Sequence, residues 1–122
     1  MGEMKTLLIV DDESKVCLLL SRFFEQRGLR TLTATSGTEA LQKLEAETPE
    51  YLLLDIRMPD MSGLEVLKLA KQRHPRLNVV MLTGCTDAEA AQTAFQLGAT
   101  DYLTKPFRWG DQELARVFFD PN

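Results

Sequence analysis

The sequence predicts an α/β domain: one five-stranded parallel sheet with helices on both faces. Short continuous apolar runs recur along the chain at Thr6–Val10, Tyr51–Leu54, Val79–Leu82 and Tyr102–Thr104. Buried parallel strands read this way because helices cover both faces of the sheet. Between the runs lie segments whose apolar residues follow the 3.6-residue helical period. Each run also leads into a polar residue able to do chemistry: Asp11-Asp12, Asp55, Thr83 and Lys105. In open α/β sheets, ligands sit beyond the carboxyl ends of the strands, where the strand order reverses. One repeated pattern therefore predicts both a fold and a site.

The elements follow in order. The first helix is expected over Ser14 to Arg27, since Val16, Leu19, Leu20, Phe23 and Phe24 fall on one helical face. Ser14 is the expected cap and Gly28 the stop. Leu29 to Ala34 alternates apolar and polar residues, which suggests a less buried edge strand. Ser36-Gly37-Thr38-Glu39 matches a capping box for a helix through about Glu45. Ser62-Gly63-Leu64-Glu65 is a second such match, opening a helix with Leu64, Val66, Leu67 and Leu69 that stops near His74-Pro75. Thr86-Asp87-Ala88-Glu89 is a third, for a helix ending at Leu97-Gly98. A last helix near Asp111 carries Leu114, Val117 and Phe118. Alternating strands and helices imply a doubly wound (βα)5 sheet with right-handed crossovers. A flavodoxin-like strand order, 2-1-3-4-5, sets the first and third strands at the reversal point. Those strands carry Asp11, Asp12 and Asp55, and the alternating second strand falls at an edge.

Bulk properties exclude several classes. A chain of 122 residues is the size of one domain. Hydrophobic content of 44% and charged content of 26% are those of a soluble globular protein. A net charge of −4, with no stripe of Lys and Arg interleaved with aromatics, argues against direct nucleic-acid binding. No run approaches the length of a membrane span, and Met1–Lys5 is too short and acidic for a signal peptide. Cys17 and Cys85 stand at unrelated positions, so a reducing cytoplasm is expected.

Clustered carboxylates repel and raise one another's pKa unless a cation intervenes. Three Asp groups at one strand edge therefore predict a protonated member or a bound metal. Hard oxygen donors favour Mg²⁺, held by one or two carboxylates plus a phosphate. An Asp can also attack as a nucleophile and form an aspartyl-phosphate. Asp55 stands alone after the central run and is the nucleophile candidate. Asp11 and Asp12, being adjacent, are the better metal ligands. Lys105 and the Thr83 hydroxyl are suited to the phosphoryl oxygens.

Asp11-Asp12, the stretch Leu54-Asp55-Ile56-Arg57-Met58-Pro59-Asp60-Met61-Ser62-Gly63, Thr83-Gly84 and Lys105-Pro106-Phe107 resemble the receiver domain of two-component response regulators. The likeness runs from about Met4 to Ala115. It implies a phosphoacceptor switch over residues 1–122, stand-alone or part of a longer regulator. Asp55 would take a phosphoryl group from the phosphohistidine of a sensor histidine kinase or phosphotransfer protein. Asp12 and Asp55 would bind Mg²⁺ directly and Asp11 through water, with the Arg57 main-chain carbonyl as a further ligand. Thr83 and Lys105 would hold the phosphoryl oxygens. Tyr102 would be an aromatic rotamer switch and Lys105-Pro106 a cis peptide. The resemblance also allows a homodimer through the face of the fourth helix, fifth strand and fifth helix. Such a switch catalyses its own phosphotransfer and hydrolysis without being a turnover enzyme.

The plainer roles are packing for Tyr102, Cys17, Met58 and Met61, a solvated helix exit for His74, and an inert small residue for Cys85. Arg57 beside the acceptor is expected to alter how fast water attacks an aspartyl-phosphate. Trp109, in the unusual stretch Arg108-Trp109-Gly110, is a candidate contact residue, and one of the adjacent pair Phe118 and Phe119 is free to cover a partner surface. An alternative is a receiver-like interaction module independent of phosphorylation, against which the intact acidic set and Lys105 argue. A phosphatase of the dehalogenase kind wants its nucleophile on the first strand in an Asp-x-Asp pattern. A flavin-binding flavodoxin wants Ser, Thr and Gly in the first loop, which reads Asp11-Asp12-Glu13.

Overall fold

The structure is a computed structural model that describes residues 4–84 and 88–105. Five strands alternate with four helices among these residues: β1 (Thr6–Val10), α1 (Ser14–Glu25), β2 (Arg30–Ala34), α2 (Gly37–Glu47), β3 (Tyr51–Asp55), α3 (Gly63–Arg73), β4 (Asn78–Thr83), α4 (Ala88–Gln96) and β5 (Asp101–Thr104). All neighbouring strands pair in parallel. Their order is β2-β1-β3-β4-β5, the order expected from the sequence, with the alternating second strand at an edge. The expected Thr86 capping box, Cys85, the Lys105-Pro106 peptide bond, Trp109, Phe118, Phe119 and the last helix lie outside the described residues.

Side-chain alternation along the strands divides the interior in two. Leu8, Val10, Leu52, Leu54, Val79 and Met81 face one way and pack with Ala40 and Leu44 of α2, Val66, Leu67 and Ala70 of α3, and Ala94 of α4. Leu7, Ile9, Leu53, Val80, Leu82 and Leu103 face the other way and pack with Cys17, Leu20, Phe23 and Phe24 of α1. The runs of β1, β3 and β4 are thus inner strands buried on both faces, whereas β5 lies at an edge and buries only Leu103, leaving Tyr102 and Thr104 exposed.

Two helix starts differ in detail from the sequence expectation. Ser14 does not cap α1. Glu13 occupies that position without a side-chain cap, and the Asp11 carboxylate accepts from the Glu13 N–H at 2.9 Å instead. The chain turns one residue earlier than expected, so Ser14 is already helical. At α2 the Ser36 hydroxyl accepts from Glu39 N–H at 3.1 Å as expected. The Glu39 carboxylate, however, reaches past Ser36 to the N–H of Thr35 at 2.8 Å. At the end of α1, Gly28 has φ of +93°. Leu29 N–H then reaches Phe24 O at 3.2 Å, the left-handed stop that glycine permits.

Leu8 is fully buried whereas Leu18 on α1 is half exposed. In urea unfolding, Leu8→Ala is expected to lower stability by about 2–5 kcal/mol through lost burial and a residual cavity. Leu18→Ala should change it by no more than about 0.5 kcal/mol.

Candidate functional site

The sheet register gathers the site. Val10 pairs with Leu54, so Asp11, one step past β1, lies level with Asp55 at the end of β3. Asp55 pairs with Leu82, and Thr83 follows as the last residue of β4. Thr83 pairs with Thr104, and Lys105 follows it. Four strands therefore deliver their terminal polar residues to one edge of the sheet.

Asp11 and Asp55 are buried and Asp12 is exposed, and each offers a carboxylate oxygen within 4.8 Å of those of the other two. Lys105 spans the buried pair, with its Nζ 2.7 Å from Asp11 Oδ2 and 3.4 Å from Asp55 Oδ2. The second oxygen of each buried acid is held by the backbone: Asp11 Oδ1 by Glu13 N–H at 2.9 Å and Asp55 Oδ1 by Arg57 N–H at 3.2 Å. This local bonding fixes both carboxyl groups. Three hard oxygen donors converging on one point form a set that could hold a divalent metal ion.

The backbone around Asp55 is equally constrained. Ile56 N–H donates to Leu82 O at 3.1 Å, and Gly63 N–H donates to Ile56 O at 2.7 Å. A Cβ at Gly63 would lie 2.0 Å from the Asp55 carbonyl oxygen. Only a glycine lets the start of α3 come this close to Asp55. Below the site, the buried Cys17 thiol donates to Asp11 O at 3.3 Å. Burial, then the Asp11 charge, pushes that thiol up to about 11. It is an inert buttress, as packing alone suggested for Cys17. Sequence reasoning had assigned neither the Gly63 contact nor the Cys17 bond.

The remaining candidates are spread over the domain. Arg57 is exposed two residues after Asp55. Tyr102 is 36% exposed on β5, and its ring stands edge-on to Phe95 of α4 with centroids 5.9 Å apart. Met58 and Met61 pack against the larger core cluster, as expected. His74 differs from the solvated exit expected of it. It is partly buried at the end of α3, with Nε2 3.7 Å from Glu45 of α2, because α2 and α3 pack side by side.

Electrostatics follow from this crowding. Burial raises the Asp55 carboxyl above its ordinary value of 3.8, Lys105 opposes that shift, and Asp11 adds to it. Burial pulls the Lys105 ammonium down, but its bond to Asp11 and the charges of Asp55 and Asp11 outweigh this and raise it. A raised carboxyl means that the folded state binds the proton more tightly than the unfolded chain. Stability therefore falls as pH climbs from about 3.8 through the raised value, and the loss persists at neutral pH. With divalent metal chelated, Asp55→Asn should raise the urea midpoint at pH 7, and the gain should shrink as pH drops below the ordinary carboxyl range. A destabilised Asp55→Asn protein at pH 7 would contradict this balance of forces.

Comparison with known proteins agrees with the geometry. The family described as the response regulator receiver domain matches residues 7–117. The chain is 50% identical over 99 residues to the DNA-binding transcriptional regulator NtrC of Klebsiella pneumoniae, covering 81% of this chain and 21% of that protein. It is 39% identical over 103 residues to the alkaline phosphatase synthesis transcriptional regulatory protein PhoP of Bacillus subtilis, covering 84% of this chain and 43% of that protein. A crystal structure of a CheY-like response regulator receiver domain protein from Methanospirillum hungatei superposes with a TM-score of 0.86 at 30% identity, covering 94% of this chain and 97% of that one. The chain thus spans about a fifth of the NtrC protein it matches and nearly all of the isolated receiver domain. With its fold, its strand order and its acidic edge, this chain belongs to the response regulator receiver domains, the phosphoacceptor modules of two-component signalling.

Proposed function

We propose that Asp55 accepts a phosphoryl group from the phosphohistidine of a sensor histidine kinase or phosphotransfer protein. The observation that carries this reading is the Lys105 ammonium bridging Asp11 and Asp55 beside the exposed Asp12. A cation already drawn to two buried carboxylates is placed to meet the added charge of a phosphoryl group.

The carboxylates of Asp11, Asp12 and Asp55, with the Arg57 main-chain carbonyl, would hold Mg²⁺. When bound, Mg²⁺ supplies positive charge against an equatorial phosphoryl oxygen. The protein's own groups do the rest. An Asp55 carboxylate oxygen attacks phosphorus, the bond to the imidazole nitrogen breaks, and the imidazole leaves with the bond's electron pair. Lys105 neutralises a second equatorial oxygen, and the Thr83 hydroxyl with nearby backbone N–H groups takes a third. Transfer and later hydrolysis are thus self-catalysed on one carboxylate, without turnover of an outside metabolite. Arg57, exposed beside the acceptor, tunes the access of water to the aspartyl-phosphate.

The output follows from charge. Phosphorylation adds about −1.5 to −2 charges and strong acceptor oxygens. Thr83 engages one of these, and Tyr102 leaves its edge-on contact with Phe95 to turn inward. The α4–β5 surface changes, and a partner or a second copy of the chain reads it. This is a population shift between two packings, biased by the phosphoryl group. Among the described residues no helix is long and apolar enough to cross a membrane; the proposed phosphotransfer supports a cytoplasmic setting. The phosphorylation-independent reading has no comparable support, because every group the chemistry needs is present.

Incubation with acetyl phosphate and Mg²⁺, followed by intact-mass measurement, is expected to add one phosphoryl group per chain. Asp55→Asn should abolish the addition, and Asp12→Ala should demand more Mg²⁺ for it. Full labelling of Asp55→Asn would refute the assignment of the acceptor.

A further inference from the structure

The β3–α3 connection is fastened to a helix that lies outside the reaction. Asp60 Oδ1 accepts from Gly37 N–H at 2.9 Å. Its Oδ2 accepts from Thr38 N–H at 2.9 Å and from the Thr38 hydroxyl at 2.7 Å. Gly37 and Thr38 are the first two residues of α2. Together with Ser36, which accepts from Glu39 N–H, Asp60 serves the leading N–H groups that a helix leaves without internal partners. A carboxylate there is also favoured by the helix dipole.

Packing fastens the same point. A Cβ at Gly37 would lie 2.3 Å from Met61 Cγ and 2.7 Å from its sulfur, so Met61 lies directly over the helix start. Asp60 is exposed, so burial does not hold it there. Its hydrogen bonds from the Thr38 hydroxyl, then from Gly37 and Thr38 N–H, hold its carboxyl down at about 2.

The consequence lies at the metal site proposed above, and the inference rests on that reading. The proposed ligands come from two separate segments: Asp11 and Asp12 at the end of β1, and Asp55 with the Arg57 carbonyl at the end of β3. α2 packs on β1 and β2. Asp60, three residues past Arg57, ties the second segment to a helix seated on the strand that carries the first. We infer that Asp60 is a positioning residue for divalent-metal binding, holding the Arg57 carbonyl in register with Asp11 and Asp12 by clamping its loop to the start of α2.

Mg²⁺ titration followed by backbone amide shifts in NMR tests this. Asp60→Ala is expected to weaken Mg²⁺ binding by about tenfold, as loss of an outer support for a metal ligand does. Labelling by acetyl phosphate should then return to the wild-type extent at saturating Mg²⁺. Ser36→Ala removes another cap from the same helix without touching the loop, so it should lower stability yet leave Mg²⁺ affinity unchanged. Thr38→Val, which deletes one arm of the clamp, should shift affinity in the same direction by less, and it serves if Asp60→Ala does not fold. Unchanged Mg²⁺ affinity in both clamp variants, or an equal loss in Ser36→Ala, would overturn the positioning role while leaving the site intact. A wild-type chain with no Mg²⁺ response would overturn the metal-site reading itself.

Discussion

Two buried carboxylates at the ends of neighbouring strands set the terms for this molecule. Two unit charges about 5 Å apart repel by roughly 3 kcal/mol at the effective dielectric of a protein surface. Asp11 and Asp55 sit within that range and are almost wholly removed from water. A fold built only for stability would not keep them there. Lys105 offsets the repulsion from one side, and backbone N–H groups from Glu13 and Arg57 hold the outer oxygens. What remains is a cluster of carboxylate oxygens completed by the exposed Asp12, a set that could hold a divalent cation.

The surroundings follow from that constraint. The strands must end level, which the parallel register achieves. α3 must start close against Asp55, which requires Gly63. The Cys17 thiol braces the backbone of Asp11 from beneath. The loop after Asp55 is held at its far end by the bonds of Asp60 to Gly37 and Thr38 of α2. Each device trades local freedom for fixed placement of charge, because electrostatic groups act without reorganisation only when their positions are set in advance.

Much of this was legible in the chain. The inner strands β1, β3 and β4 were readable because burial on both faces leaves unbroken apolar runs, and the candidate site was readable because each run leads into its own polar residue. Asp11, Asp12, Asp55 and Lys105 are brought together as the strand order required, and Thr83 ends the strand between Asp55 and Lys105. What escaped were interactions between distant segments whose partners carry no local signal. Asp60 lies 23 positions from Gly37, and nothing near either residue announces the other. The cap of α1 shifted because the Asp11 carboxylate competes for the turn that Ser14 would have occupied. His74 looked solvated because the contact that covers it comes from Glu45 on another helix.

The central claim is that Asp11, Asp12 and Asp55 form one divalent-ion site beside Lys105 at the carboxyl edge of the sheet. Paramagnetic broadening of backbone amides by trace Mn²⁺ measures this most directly, since the effect falls off steeply with distance from the bound ion. The account predicts that broadening centres on residues 11–12, 55–57 and 105, and that excess Mg²⁺ reverses it. Broadening centred on the opposite edge of the sheet, or spread evenly over the acidic surface, would contradict it.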